Sequence, residues 1–214
     1  MRLPFRDAPD RWIETGAIYA IGRNYRDPTA ADDARPDRPL VYGKAATSVT
    51  ADRMVIGWDR RLAANVDAEC ELAVVLGPDA GILGYTIVND VTAQDPWLDG
   101  DQWLLGKSMP GFCPVGPAIV AAGALDPSDL GLGLRLNGVA VQDGRTSQMR
   151  FTIAEILAYL GAHVALRAGD LIATGTPARI GPLAARHLRP GDTMTCWIEG
   201  IGELTNTVKE EEVR

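Results

Sequence analysis

Asp67, Glu69 and Glu71 stand at alternate positions in Asp67-Ala68-Glu69-Cys70-Glu71, directly before the apolar run Leu72-Ala73-Val74-Val75-Leu76. A short β-branched run closed by Gly77-Pro78 marks a buried strand, and strand side chains alternate between faces. The three carboxylates therefore share one face. Like charges held against a core repel one another and lose hydration, so the row calls for a cation to neutralise it. Hard oxygen donors suit Mg2+ or Mn2+, with Ca2+ as a further candidate, rather than zinc or copper. An acidic strand edge facing water is the competing reading of the spacing alone. A second β-rich run, 84–92, delivers Asp90 where a third ligand can sit, and Lys107 follows in Leu104-Leu105-Gly106-Lys107-Ser108. Together these residues predict a carboxylate cage with one compact cation beside it.

Such a cage needs strands to carry it. Residues 16–21 read as a short strand running into Gly22-Arg23-Asn24-Tyr25-Arg26-Asp27-Pro28. Two arginines and Tyr25 just past a strand end can receive an anionic substrate, or form an ordinary polar turn. Residues 28–39 are polar and Pro-rich, and a loop of that length in a compact domain reads as a lid. Leu40-Val41-Tyr42-Gly43-Lys44 returns to strand, and sequence alone favours a solvated Lys44 over one reaching the site. Trp97 and Trp103, in the segment between Asp95 and Lys107, suggest a pocket wall or an oligomer contact. The turn-rich 110–117 leads into a strand at 118–121. Asn137-Gly138 between extended runs at 132–136 and 139–142 marks a two-residue hairpin.

One helix is clearly signalled. Thr152-Ile153-Ala154-Glu155 fits a capping box, Ile153, Ile156, Leu157 and Leu160 recur at helical spacing, and Gly161 can close the end. His163 reads as a packing or dipole-complementing residue, and His187 sits in a polar turn without a signal. The last third is again β, at 170–174, 193–199 and 204–208. Leu166-Arg167-Ala168-Gly169-Asp170 and Leu188-Arg189-Pro190-Gly191-Asp192 echo one another as turns that start strands. The expected fold class is mainly β with short helices, and mostly antiparallel.

Composition bounds the partners. The 214 residues suit one domain with one sizeable core. A net charge of −7, from 21 basic and 28 acidic residues, argues against nucleic acid and anionic membrane. No apolar run approaches the ~20 residues of a membrane span and the start lacks a signal-peptide core, so a cytoplasmic location is expected. Cys70, Cys113 and Cys196 show no metal or disulfide spacing and read as packed free thiols. Neither a P-loop nor a G-x-G-x-x-G fingerprint is present, which argues against a nucleotide cofactor.

Several stretches together resemble the fumarylacetoacetate hydrolase family. They are Ile21-Gly22-Arg23-Asn24-Tyr25-Arg26-Asp27, Glu69-Cys70-Glu71-Leu72-Ala73-Val74-Val75, residues 84–93, Lys107-Ser108 with 111–117, Gln148-Met149-Arg150-Phe151, and Gly169-Asp170-Leu171-Ile172-Ala173-Thr174-Gly175-Thr176-Pro177. The similarity runs in order through 17–208. It implies a single catalytic domain over 1–214, a mixed β-sandwich roll. Residues 1–50 would supply an N-terminal strand and lid, and 51–214 the metal-binding roll. The family is usually homodimeric, and its members cleave, decarboxylate or isomerise 2,4-dioxo acids and related β-dicarbonyl compounds.

Carried over by residue, Glu69, Glu71 and Asp90 match ligands for Mg2+ or Mn2+, Lys107 the active-site lysine, and Thr176 a substrate-facing threonine. Asp67 falls outside the matching motif. Arg23, Tyr25, Lys44 and Gln94 complete the candidate contacts to a small keto or dioxo acid. Hydrolysing members usually place a histidine after the N-Y-x-D segment, where this chain has Pro28. The usual arginine and glutamine after the metal aspartate appear as Gln94 and Trp97. These departures favour decarboxylation or isomerisation over hydrolysis, for which Asp27, Asp32 or Asp33 in the lid could substitute only as a weak base. Two alternatives stay open: a member that binds metal and acid without turnover, and the inactive partner of a hetero-oligomer.

Overall fold

The structure, a computed structural model, describes residues 1–27, 34–95, 97–98 and 101–210. Its strands are β1 (Arg2–Phe5), β2 (Ala8–Glu14), β3 (Ile18–Gly22), β4 (Leu40–Lys44), β5 (Val49–Thr50), β6 (Val55–Trp58), β7 (Val66–Asp67), β8 (Cys70–Leu76), β9 (Ile82–Asn89), β10 (Thr92–Ala93), β11 (Cys113–Ala121), β12 (Gly131–Leu136), β13 (Val139–Arg145), β14 (Leu171–Ala173), β15 (Thr193–Ile198) and β16 (Gly202–Glu210). Two α-helices, α1 (Trp103–Gly106) and α2 (Ile153–Gly161), interrupt them. The mainly β expectation holds.

A nine-stranded sheet runs β2-β1-β11-β9-β8-β14-β3-β4, with β5 beside β11. A five-stranded sheet runs β13-β12-β15-β16-β6, and β10 pairs with β7 alone. Most pairings are antiparallel, but β1 with β11, β5 with β11, β14 with β3 and β16 with β6 are parallel.

Strand alternation explains why β8 is apolar at successive positions. Cys70, Leu72, Val74 and Leu76 enter one core, shared with Leu132, Leu134, Cys196 and Leu204 of the smaller sheet. Ala73 and Val75 enter a second core with Leu3 of β1 and Ile18 of β3. Strands that far apart in the sheet order meet in one cluster only if the sheet curls around it. Both faces of β8 are thus buried, as a near-continuous hydrophobic run requires.

The hairpin forms as read, with Asn137 at φ 52° and Gly138 at φ 81°, the left-handed pair that this turn demands. Helix α2 carries the expected capping box on Thr152 and Glu155, and its Ile156 and Leu160 are buried. It extends through Gly161, with Ala162 as the capping residue. The two echoed turns are structurally alike: Asp170 accepts from Arg167 N and Asp192 from Arg189 N, with Gly169 and Gly191 left-handed.

Two expectations are corrected. The strand read at 118–121 begins at Cys113, because Pro117 falls where the pairing with β9 skips from Gly116 to Val120 and Pro114 lies against the short strand β5. The shared face of Asp67 with Glu69 and Glu71 is broken, since the backbone leaves strand geometry at residues 68 and 69. Residues 28–33, which hold Pro28, Asp32, Asp33 and half of the expected lid, lie outside the described residues. Just beyond them, Arg35 pairs with Glu155 at 2.6 Å and covers the Phe151 ring at 4.4 Å.

Candidate active site

Register builds the site. Cys70 pairs with Asn89 across β8 and β9, so Glu69 and Asp90 face each other one step beyond, where Asp90 N donates to Glu69 O at 2.8 Å. Glu71, two residues on, lies on the same face as Glu69. Ligand oxygens of Glu69, Glu71 and Asp90 all lie within 4.8 Å of one another. Glu71 and Asp90 are buried, while Glu69 is partly open.

Each carboxylate has its own support. Glu71 Oε2 accepts from Gly175 N at 2.8 Å. Gly175 is left-handed at φ 95°, and a Cβ there would lie 2.8 Å from Asn24 Cβ, so the Thr-Gly-Thr-Pro turn needs its glycine. Asp90 accepts from Lys44 on one oxygen, and from Lys107 at 2.5 Å and the Tyr42 hydroxyl at 2.7 Å on the other. Lys107 Nζ also donates to Thr92 Oγ1 at 2.7 Å and Glu69 Oε2 at 3.2 Å. Fully ionised, the three carboxylates outnumber the two ammonium groups by one, a net negative charge in the cluster. A bound dication would reverse that sign and suit an anionic substrate.

Burial decides how these groups hold protons. Burial, and then the charges of Asp90 and Glu69, push the Glu71 carboxyl well above its ordinary range. Burial also raises Glu69, although Lys107 opposes it. Burial works against an ionised Asp90 too, but Lys107 and Lys44 outweigh it and hold that carboxyl below the usual range. Burial likewise opposes the Lys107 charge, and Asp90 and Glu69 overcome it and raise its pKa. Tyr42, raised by burial and by Asp90, stays protonated as a donor.

A cavity of about 380 Å³ opens onto Glu69, Glu71 and Lys107, with Arg23, Gln94, Trp103 and Thr176 on its walls. Arg23 is left-handed at φ 55° and exposed, anchored behind by Asn24, whose side chain bonds Phe151 and Thr174. The structure does not bring Tyr25 or Lys44 to the wall. Tyr25 is packed in the core behind Glu71. Lys44, read from sequence as solvated, is buried on Asp90 and Val91 O instead. Of the two tryptophans, Trp103 forms the wall, stacked edge-on against Tyr42, while Trp97 is exposed.

Sequence reasoning missed several members. Asp67 lies outside the acidic group because Arg179 and His187 take its carboxylate, at 3.2 and 3.0 Å, so His187 is not without a role. Tyr42 precedes Lys44 by two residues on β4, and same-face spacing would have found it once Lys44 was placed on Asp90. Gln142 lines the cavity from β13 and had no signal in its local sequence.

This curled sheet carries a Glu-Glu-Asp group that could hold a divalent metal, with a lysine beside it. Residues 17–209 match the family model described as fumarylacetoacetate (FAA) hydrolase C-terminal, and the chain belongs to that family. It is 35% identical over 207 residues to oxaloacetate tautomerase YisK of Bacillus subtilis, covering 89% of this chain and 69% of that protein. Among solved structures, 5-carboxymethyl-2-hydroxymuconate delta-isomerase from Mycobacterium smegmatis superposes with a TM-score of 0.83 at 35% identity, over 94% of this chain and 82% of that one. Fumarylpyruvate hydrolase from Pseudomonas aeruginosa, in complex with Mn2+ and pyruvate, gives a TM-score of 0.86 at 25% identity, over 99% and 96%.

Proposed function

We propose that the protein is a Mg2+- or Mn2+-dependent enzyme acting on small β-dicarbonyl or 2,4-dioxo acids, by keto–enol isomerisation or decarboxylation rather than hydrolysis. The observation that carries this is the convergence of Glu69, Glu71 and Asp90 within 4.8 Å, with Lys107 between Glu69 and Asp90. The donor set fits a hard dication: three carboxylates, two of them buried, and no thiol or imidazole among the clustered ligands. Once held there, such an ion supplies Lewis-acid polarisation of a keto oxygen.

The chain's own groups supply the rest. Lys107, whose charge is reinforced by its neighbours, stabilises negative charge developing on an enolate oxygen. Lys107 and Lys44 keep Asp90 ionised, and the Tyr42 hydroxyl helps fix its orientation. Arg23, Gln94 and Thr176 bound the space left for the acid, and Arg23 offers a guanidinium to a carboxylate. Decarboxylation needs an electron sink rather than an activated water, isomerisation needs in addition only a group or solvent water to take the α-proton, and the family relatives include a tautomerase and an isomerase. The buried, unpaired thiols of Cys70, Cys113 and Cys196 suit a reducing compartment such as the cytoplasm, and no helix among the described residues is long and apolar enough to cross a membrane.

The test is turnover of oxaloacetate and acetylpyruvate with added Mg2+ or Mn2+, comparing wild type with Lys107→Ala. Conversion above the metal-only rate that the substitution abolishes supports the reading. Metal uptake without conversion of either acid would make the protein a binding member of the family instead.

A further inference from the structure

Gln142 reaches from the five-stranded sheet into the seam between β8 and the Thr-Gly-Thr-Pro turn. Its Oε1 accepts from the backbone N–H of Cys70, the residue between Glu69 and Glu71, at 2.9 Å. Its Nε2 donates to Thr176 Oγ1 and to Pro177 O, both at 2.8 Å. Thr176 Oγ1 in turn donates to Cys70 O at 2.7 Å, which closes a ring on both polar groups of Cys70.

The position is shaped for this side chain. Gln142 is 1% exposed, and the β12–β13 register shifts by one residue beside it, a bulge of the kind that re-aims side chains near active sites. Across the pair, a Cβ on Gly133 would lie 2.3 Å from Gln142 O, so the close approach requires glycine. On its other side its backbone bridges to Arg179 on the cavity wall.

We propose that Gln142 is a positioning residue: one amide sets the angle at which Glu69 and Glu71 present their oxygens to a dication, and holds Thr176 at the substrate wall. The proposal rests on the metal-dependent reading above. The peptide that Gln142 bonds joins the two glutamates, and groups that orient metal ligands carry much of a site's affinity.

The experiment titrates Mn2+ calorimetrically into wild type, Gln142→Leu and Gln142→Asn, with thermal melts of each protein without metal. Leucine has similar bulk and no polar atom; asparagine keeps the amide one methylene short, so a folded variant is available if one fails. Affinity for Mn2+ is expected to fall about 10–100-fold in both. At saturating Mn2+, kcat for oxaloacetate should recover while KM stays raised, because Thr176 has lost its donor. A brace with a purely structural role would lower the melting temperature and leave Mn2+ affinity unchanged in the folded protein. That outcome, with uptake by wild type intact, overturns this inference alone; no uptake by wild type overturns it together with the proposed function.

Discussion

At the residue scale the account turns on how few side chains carry the charge. Lys107 is the ammonium shared by Glu69 and Asp90, so its removal should separate binding from chemistry. We expect Lys107→Ala to lose about 10²–10³ in kcat while still taking up metal, since the substitution removes a cation that competes for the same oxygens. Equilibrium dialysis beside steady-state kinetics checks both halves. The pH dependence follows from Glu71 and Glu69, whose carboxyls are raised by burial above the ordinary 4.5. The folded protein holds these protons more tightly than the unfolded chain, so their contribution favours folding at low pH and is lost as pH rises through the raised values. Asp90, held below its ordinary 3.8, acts in the opposite direction, and its contribution is lost as pH falls toward its lowered value. Because metal needs all three ionised, melting scans should show the stabilisation by Mn2+ growing as pH rises through the raised Glu69 and Glu71 values.

At the element scale the site depends on strand register and one turn. The E-x-E alternation, the Asn-Gly hairpin and the capped helix were legible because each is a local pattern with a local cause. The N-terminal β1–β2 pair and β6 were not. Residues 8–14 are mostly exposed, carrying no core-facing alternation, and β6 is held by its parallel partner β16. Lys44 was misread for the same reason, since its destination on Asp90 is 46 residues away. Gln142 faces inward beside a bulge that no spacing rule announces. Gly175 is the element-scale test: its left-handed backbone both bonds Glu71 and leaves no room for a Cβ. We expect Gly175→Ala to cost at least roughly 1–2 kcal/mol from the backbone alone and to weaken metal uptake. Urea unfolding with and without Mn2+ measures both effects.

At the scale of the whole molecule, the two cores meet on β8, so the strand that carries Glu71 and follows directly on Glu69 is buried on both faces. A site built there is preorganised by the fold rather than by a loop. The same view exposes a surface: Leu104 and Leu105 of α1 and Leu40 of the edge strand β4, on which α1 packs, are exposed, as is Trp97. Exposed large apolar side chains on adjoining elements suit an interaction face. We expect native mass spectrometry to find a homodimer and Leu104→Glu to shift it toward monomer. The central claim is tested most directly by calorimetric titration of Mn2+ into the wild-type protein and into Glu71→Gln. One saturable site in wild type, with proton release and an affinity sharply reduced in the variant, is the expected result. No saturable uptake by wild type, or equal uptake by both proteins, would contradict it.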